Sequence, residues 1–266
     1  MATIEIEPHV FLHYTEVGTG PGLLYLHGVL GSSLYFALQQ QNPVANMRSV
    51  FLDFRGHGQS PDPLRGHSVS QYALDVARVL DVLELCPVVV VAWSMGALVA
   101  WEYLSIFGPS KLRGLIIVDQ SPSDFAFPGW PYGSVTEKQL GAIQQRILNA
   151  PEQQAFDNAA AIFHQPSEAQ TLIAIEEFLR VRRETAYSIF TDQTLRDYRH
   201  VIKHVNLPVQ LCFGRDPSVV SPEAGAFMVK TMPNAHLTVF NESSHCPFWE
   251  EPERFAQVIT EFVRNL

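Results

Sequence analysis

Short runs of apolar residues alternate along the chain with longer segments in which apolar residues recur every three or four positions. The short runs are typical of buried strands, and the longer segments are typical of helices with one buried face. The clearest run covers residues 87–93 (PVVVVAW), and a helical segment over residues 95–107 follows it directly. Repeated strand–helix–strand units predict an α/β fold in which a mostly parallel sheet is flanked by helices.

The same pattern gives an approximate position for each element. Strands are predicted over residues 3–7, 10–15, 22–26, 49–54, 87–93, 114–119, 209–213 and 237–240. Helices are predicted over residues 34–43, 95–107, 222–232 and 252–265, and over a segment that ends near residue 85 and has Ser70 as its N-cap. The first two strands are expected to form a hairpin.

The alternation of strands and helices stops between residues 122 and 200. This stretch begins with turn-rich aromatic sequence and continues with helical segments that contain no clear strand. We therefore expect residues 1–121 and 201–266 to form the core domain, and residues 122–200 to form a helical cap inserted into it. Such a cap would cover the carboxyl edge of the sheet, where open α/β sheets bind their ligands.

Composition and charge exclude several classes of protein. Hydrophobic residues make up 47% of the 266 residues and charged residues 17%, which is enough apolar material for a large core. The net charge of −9 and the absence of a basic run argue against a nucleic-acid partner. No apolar run approaches the roughly 20 residues of a membrane span, and the N-terminus does not resemble a signal peptide.

Three cysteines, Cys86, Cys212 and Cys246, have the spacing of neither a disulfide framework nor a zinc site. We therefore expect a reducing, cytoplasmic location and no metal. The chain carries no cofactor motif, so no organic cofactor is expected, and nothing in it specifies an oligomeric state.

The strongest chemical signal is Ala92-Trp93-Ser94-Met95-Gly96, which lies between the all-valine strand and the next helix. A nucleophile elbow needs this context, because the strand must turn sharply into the helix and present the serine hydroxyl. Small residues are needed two positions before and after the serine, and Ala92 stands where the G-x-S-x-G pattern has glycine. An ordinary strand–helix turn is the alternative. In this context we predict Ser94 as a nucleophile.

Further segments carry a resemblance that runs along nearly the whole chain. Residues 27–31 (HGVLG) resemble the H-G-x-x-G loop of the α/β-hydrolase family, and residues 53–60 (DFRGHGQS) resemble its D-x-R-G-H-G-x-S loop. The elbow and two glycine-containing strand ends follow in the family's order. Residues 244–252 (SHCPFWEEP) resemble the segment G-H-x-P-x-x-E-x-P, with Ser244 in place of glycine. The resemblance implies an eight-stranded sheet.

The resemblance also implies roles for individual residues. His245 would be the general base that activates the serine hydroxyl. The backbone N–H groups of Val29 and Met95 would form the oxyanion hole. His27 and His57 would shape their loops and would not transfer protons.

Two aspartates are candidates for the acid that orients His245. Asp216 lies near the position that most family members use, but it comes one residue early in the G-x-x-D pattern after Gly214. Asp119 ends the strand that follows the nucleophile strand, a position used by relatives that resemble haloalkane dehalogenases. We favour Asp119 and keep Asp216 as the alternative.

Aromatic residues are dense at the start of the inserted segment. Phe125, Phe127 and Trp130, together with Trp93 and Phe248, are candidates for the wall of a substrate pocket, and packing within the protein is the alternative.

The function predicted from these residues is that of a serine hydrolase acting on a small-molecule carboxylic ester or lactone through an acyl-enzyme. The alternatives are a cofactor-free perhydrolase of the non-haem haloperoxidase type and a hydrolase of carbon–carbon bonds. A ligand receptor that keeps the pocket without turnover is a further alternative from another class.

Overall fold

A computed structural model describes residues 2–266 and contains one sheet of eight strands. The strands are β1 (Ala2–Glu7), β2 (Val10–Val17), β3 (Gly22–Leu26), β4 (Arg48–Leu52), β5 (Val88–Trp93), β6 (Leu112–Val118), β7 (Val209–Gly214) and β8 (Ala235–Phe240). Their order in the sheet is β1-β2-β4-β3-β5-β6-β7-β8. β2 pairs antiparallel with β1 and β4, and all other neighbours are parallel. The predicted eight-stranded, mostly parallel sheet is confirmed.

The helices connect these strands and cover both faces of the sheet. A 3-10 helix occupies Ser33–Phe36. The α-helices are α1 (Ala37–Gln41), α2 (Val69–Val82), α3 (Met95–Phe107), α4 (Glu137–Asn149), α5 (Pro151–Ile162), α6 (Glu168–Arg180), α7 (Arg183–Thr194), α8 (Arg199–Ile202), α9 (Pro222–Thr231), α10 (Pro247–Glu250) and α11 (Pro252–Arg264). No helix within residues 2–266 has both the length and the apolar character needed to cross a bilayer.

The start of α2 differs from the sequence prediction. Ser68, and not Ser70, is the N-cap: its backbone is extended and its hydroxyl accepts a hydrogen bond from the N–H of Gln71 at 3.2 Å. Ser70 lies inside the first turn, where its hydroxyl donates to Glu102. The helix also ends earlier than predicted, since Glu84 has a positive φ of 50° that a helix does not accommodate.

The all-valine strand is buried on both faces, which explains its unbroken apolar sequence. Val90 and Ala92 point into one hydrophobic core, whereas Val89, Val91 and Trp93 point into the core on the other side of the sheet. β5 lies between β3 and β6 at the centre of the sheet. The residues that follow β5 therefore emerge at the middle of the carboxyl edge.

The segment between β6 and β7 contains α4 to α8 and, among the described residues, no strand beyond a single bridge between Phe125 and Val135. In this segment α5 packs against α6, and α4 packs against α7. Its helical content agrees with the expected insertion over residues 122–200. The division into a core domain and a cap stays a prediction.

Candidate active site

Ser94 occupies a sharp turn between β5 and α3. Its backbone has φ of 53° and ψ of −124°, a conformation that is uncommon and strained for a residue with a side chain. Hydrogen bonds hold it there: its N–H donates to the Val118 carbonyl at 3.1 Å, and its carbonyl accepts from the Ala97 N–H at 2.8 Å. Because α3 begins at the next residue, Ser94 lies at the N-terminus of a helix.

Small residues on either side allow this turn to form. A Cβ atom on Gly96 would lie 2.5 Å from the carbonyl oxygen of Leu26 on β3, so α3 approaches the strand closely. Ala92 is fully buried and pairs with Leu26 on one side and Ile117 on the other. Alanine at this position is therefore compatible with the turn.

The loop after β3 lies directly against the serine. A Cβ atom on Gly28 would lie 3.0 Å from the Cβ of Ser94, which brings the backbone around Val29 to the same place. The N–H groups of Val29 and Met95 donate no hydrogen bond within residues 2–266. Two free donors therefore lie beside the serine, one on the residue after Gly28 and one on the first residue of α3.

His245 lies in the loop between β8 and α10 and is hydrogen-bonded to Asp119. The distance from His245 Nδ1 to Asp119 Oδ2 is 2.7 Å, and both side chains are almost fully buried. The N–H of Gly214 donates to the other carboxylate oxygen, Oδ1, at 3.0 Å. Burial raises the pKa of the Asp119 carboxyl, and the hydrogen bonds from His245 and Gly214 oppose that rise. With Nδ1 donating to Asp119, Nε2 is the nitrogen that can accept a proton.

Asp216 lies apart from His245 and contacts other residues. Its Oδ2 lies 3.0 Å from Nδ1 of His164, and its Oδ1 accepts a hydrogen bond from the Ser218 hydroxyl at 2.6 Å. The hydrogen bonds of Asp216 to Ser218 and His164 hold its pKa below the usual value. Of the two acids considered from the sequence, the structure brings Asp119 to His245 and leaves Asp216 near the surface.

His27 and His57 hold loops together. His27 Nδ1 donates to the Gly28 carbonyl at 2.7 Å, while its Nε2 accepts from the Phe54 N–H at 3.0 Å. His57 Nδ1 donates to the Arg55 carbonyl at 3.0 Å. Burial lowers the pKa of His27, and burial together with the neighbouring His27 lowers the pKa of His57 to about 3. Both rings are therefore neutral at physiological pH.

Ser94 and His245 line the same cavity, whose volume is about 130 Å³. The other lining residues are Gly28, Val29, Tyr35, Trp93, Gln120, Asp124, Ser134, Val135, Asn158, Ile162, Phe190, Gln193, Thr194 and Val219. They come from the end of β5, from the loops after β3, β6 and β7, from the 3-10 helix, and from α5 and α7. Residues 122–200 therefore supply part of the wall.

Of the five aromatic residues considered for the pocket, only Trp93 lines this cavity. Phe248 is fully buried and packs edge-on against Trp93, behind the cavity wall. Trp130 donates to the Ser123 carbonyl and packs against Phe227 on α9.

Phe125 and Phe127 pack against each other, with ring centroids 4.9 Å apart. Phe125, Phe127, Trp130 and Phe248 thus do not line this cavity, and their contact with substrate stays a prediction. Gln120 and Asp124 line the cavity but were not predicted from the sequence, although their position just after β6 places them at the carboxyl edge.

A serine, a histidine and a carboxylate at the carboxyl edge of a parallel sheet are typical of hydrolases with a nucleophile elbow. The model of the alpha/beta hydrolase family matches residues 23–258. The chain belongs to this family.

Similar proteins include esterases and other hydrolases. The chain is 24% identical to the AB hydrolase superfamily protein YisY of Bacillus subtilis, with 98% of each chain covered. It is 29% identical to a pimeloyl-[acyl-carrier protein] methyl ester esterase of Aeromonas salmonicida, with 92% of this chain and 96% of the relative covered.

Solved structures show the same fold. An esterase from Exiguobacterium antarcticum superposes with a TM-score of 0.93 at 22% identity, covering 98% of both chains. A bromoperoxidase from Bacillus anthracis also has a TM-score of 0.93, at 19% identity and 99% coverage of both chains.

The close approach at Gly96 leads to a stability prediction. We expect Gly96→Ala to lower the free energy of unfolding by about 2 kcal/mol, because the new methyl group would force α3 away from the Leu26 carbonyl. Gly141→Ala is the matched control: Gly141 lies within α4, where an added Cβ has open space. This control should raise the free energy of unfolding by about 0.5–1 kcal/mol through helix propensity.

Urea unfolding of the two variants and the native protein measures both effects. Equal stability changes of the same sign in both variants would contradict the role given to Gly96.

Proposed function

We propose that this protein is a serine hydrolase that cleaves small carboxylic esters or lactones through an acyl-enzyme. One arrangement carries the proposal: the strained Ser94 at the start of α3 opens into the same cavity as His245, whose ring is held by Asp119 at 2.7 Å. The esterases among the relatives support ester bonds as the target.

In the first half of the proposed reaction, Ser94 Oγ attacks the ester carbonyl while His245 Nε2 takes the hydroxyl proton. A serine hydroxyl is a weak nucleophile until a neighbouring base removes its proton. The imidazolium then gives this proton to the leaving alcohol as the carbon–oxygen bond breaks. With an ester, the products of this half are a free alcohol and an acyl group on Ser94; with a lactone, the new hydroxyl stays on the acyl chain.

The carbonyl oxygen becomes negatively charged in the tetrahedral intermediate. The unpaired N–H groups of Val29 and Met95 are the donors proposed to stabilise it, and each such donor is worth about 3 kcal/mol in the transition state. The N-terminus of α3 adds the favourable end of the helix dipole. Backbone donors are fixed by the fold, so they would stabilise this charge without reorganisation.

In the second half, a water molecule attacks the acyl-enzyme, His245 accepts the water proton, and Ser94 regains its proton as the acid leaves. Asp119 stays ionised throughout: it fixes the tautomer of His245 and stabilises the imidazolium formed in both halves. The Gly214 N–H keeps the carboxylate in place.

The size of the cavity favours short substrates. About 130 Å³ is small compared with the 300–1,000 Å³ of pockets for drug-sized ligands. A short acyl group fits beside Trp93, Ile162 and Phe190, whereas a long chain would have to leave the cavity. We therefore propose small esters or lactones as substrates.

Hydrolysis of p-nitrophenyl esters tests this proposal. We expect multiple turnover with acetate and butyrate, and at least tenfold lower kcat/KM with octanoate, because the cavity is short. Ser94→Ala should lose at least about 10⁴-fold in kcat. The release of one equivalent of p-nitrophenol, without turnover, would instead favour a receptor, and an unchanged rate in Ser94→Ala would contradict the proposed nucleophile.

The assignment of the acid is tested by a pair of equivalent substitutions. Asp119→Asn should lower kcat by about 10⁴-fold, because an amide at this place favours the wrong histidine tautomer. Asp216→Asn makes the same change in a carboxylate that does not contact His245, and kcat should stay within about twofold of the native value. Steady-state kinetics with p-nitrophenyl butyrate measures both, and the reverse result would assign the role to Asp216.

A further inference from the structure

The cavity beside Ser94 has both apolar and polar lining residues. The apolar residues include Val29, Trp93, Ile162 and Phe190. The polar residues include Gln120, Asp124, Ser134, Asn158, Gln193 and Thr194. Among the described residues, no lysine or arginine lines the cavity, and Asp124 is its only carboxylate. A substrate in this cavity therefore contacts hydrogen-bonding groups, and no lysine or arginine side chain balances the charge of Asp124.

Hydrogen bonds fix the Asp124 carboxylate and leave one of its two oxygens free to accept a hydrogen bond. The Gln120 side-chain nitrogen donates to Asp124 Oδ1 at 2.5 Å, and the same nitrogen is anchored on the Ser121 carbonyl. Within residues 2–266, Oδ2 of Asp124 has no hydrogen-bond partner. Burial raises the pKa of the Asp124 carboxyl to about 6, against the opposing effects of Gln120 and His245, so the group is mainly ionised at neutral pH.

We infer that the free carboxylate oxygen of Asp124 makes its side of the cavity an acceptor wall, which selects esters with a hydroxyl or ammonium group close to the scissile carbonyl. The inference extends the proposed ester hydrolysis by naming the class of substrate. The donor must lie within a few atoms of the carbonyl, because the cavity is small. A substrate with a carboxylate at the same place is disfavoured, since it would face the Asp124 charge without a cation nearby.

Binding to the Ser94→Ala variant tests this wall independently of catalysis. The matched probes are ethyl 3-hydroxybutyrate and ethyl 3-methylbutyrate, which differ by a hydroxyl in place of a methyl group, with ethyl 3-aminobutyrate and monoethyl succinate as the cationic and anionic probes. Ligand-observed NMR titration should show about tenfold tighter binding of the hydroxy ester than of the methyl ester, because a hydrogen bond to a charged group is comparatively strong. The amino ester should also bind more tightly than the methyl ester, and monoethyl succinate should bind most weakly.

Substitution of Asp124 should remove this preference. In the Ser94→Ala background, Asp124→Leu should bring the hydroxy and methyl esters to within about twofold of each other. Asp124→Asn keeps the size and one acceptor, and it should weaken mainly the amino ester. Asp157→Leu is the control, because Asp157 is exposed on α5 next to the cavity residue Asn158. This substitution should leave the ratios of the dissociation constants of the four probes unchanged.

The outcomes separate the acceptor wall from the proposed reaction. If both Asp124 variants bound all four probes more weakly by the same factor, Asp124 would be a structural residue and the acceptor wall would be contradicted. Tightest binding of monoethyl succinate would also contradict it. With Ser94 intact, kcat/KM for the same esters should follow the same order. Tighter binding of the hydroxy and amino esters, without hydrolysis of any ester by the native protein, would instead contradict the proposed function and support the acceptor wall.

Discussion

The contact on which the site depends is the close approach of α3 to the end of β3, where Gly96 leaves no room for a side chain beside the Leu26 carbonyl. This approach forces the chain to turn within one residue after β5, and that residue is Ser94. The strain of its backbone is offset by the buried sheet on one side and by the helix on the other. A looser turn would lower the strain, but it would also move the serine away from Gly28 and from the free N–H groups.

The strand order explains why the other groups meet at this point. β5 lies between β3 and β6, and β7 follows β6. Because these strands are parallel, their carboxyl ends share one edge of the sheet. The Gly28–Val29 loop follows β3, Asp119 follows β6, Gly214 ends β7, and His245 lies in the loop after β8. The segments that follow β3, β5, β6 and β8 and the end of β7 thus each contribute one group to the site, although these groups are far apart in the sequence.

Much of this arrangement is predictable from local sequence patterns. The strand runs and the order of elements predict the sheet, because burial on both faces leaves a clear apolar signature. The elbow and the histidine loop are also local, since each is defined by a few consecutive residues. The choice between Asp119 and Asp216 is different. It depends on where a side chain points after a strand ends, and the Gly214 N–H that holds Asp119 comes from another strand.

The walls of the cavity are harder to predict for the same reason. Asn158 and Gln193 are polar residues on helices, where sequence alone suggests exposure to solvent, and only the packing of α5 and α7 brings them to the cavity. The aromatic residues at the start of the inserted segment predict a pocket wall, but Trp130 packs on Phe227, a residue distant in sequence. Local aromatic density therefore predicts packing as readily as it predicts a pocket.

In the proposed mechanism, Ser94 carries the acyl group between the two halves of the reaction. The most direct measurement is rapid acid quenching of the protein during turnover of p-nitrophenyl butyrate, followed by digestion and mass spectrometry of the peptides. We expect a butyryl group on the peptide that contains Ser94 and on no other peptide. Steady turnover of the ester with the butyryl group on a peptide that lacks Ser94 would contradict it.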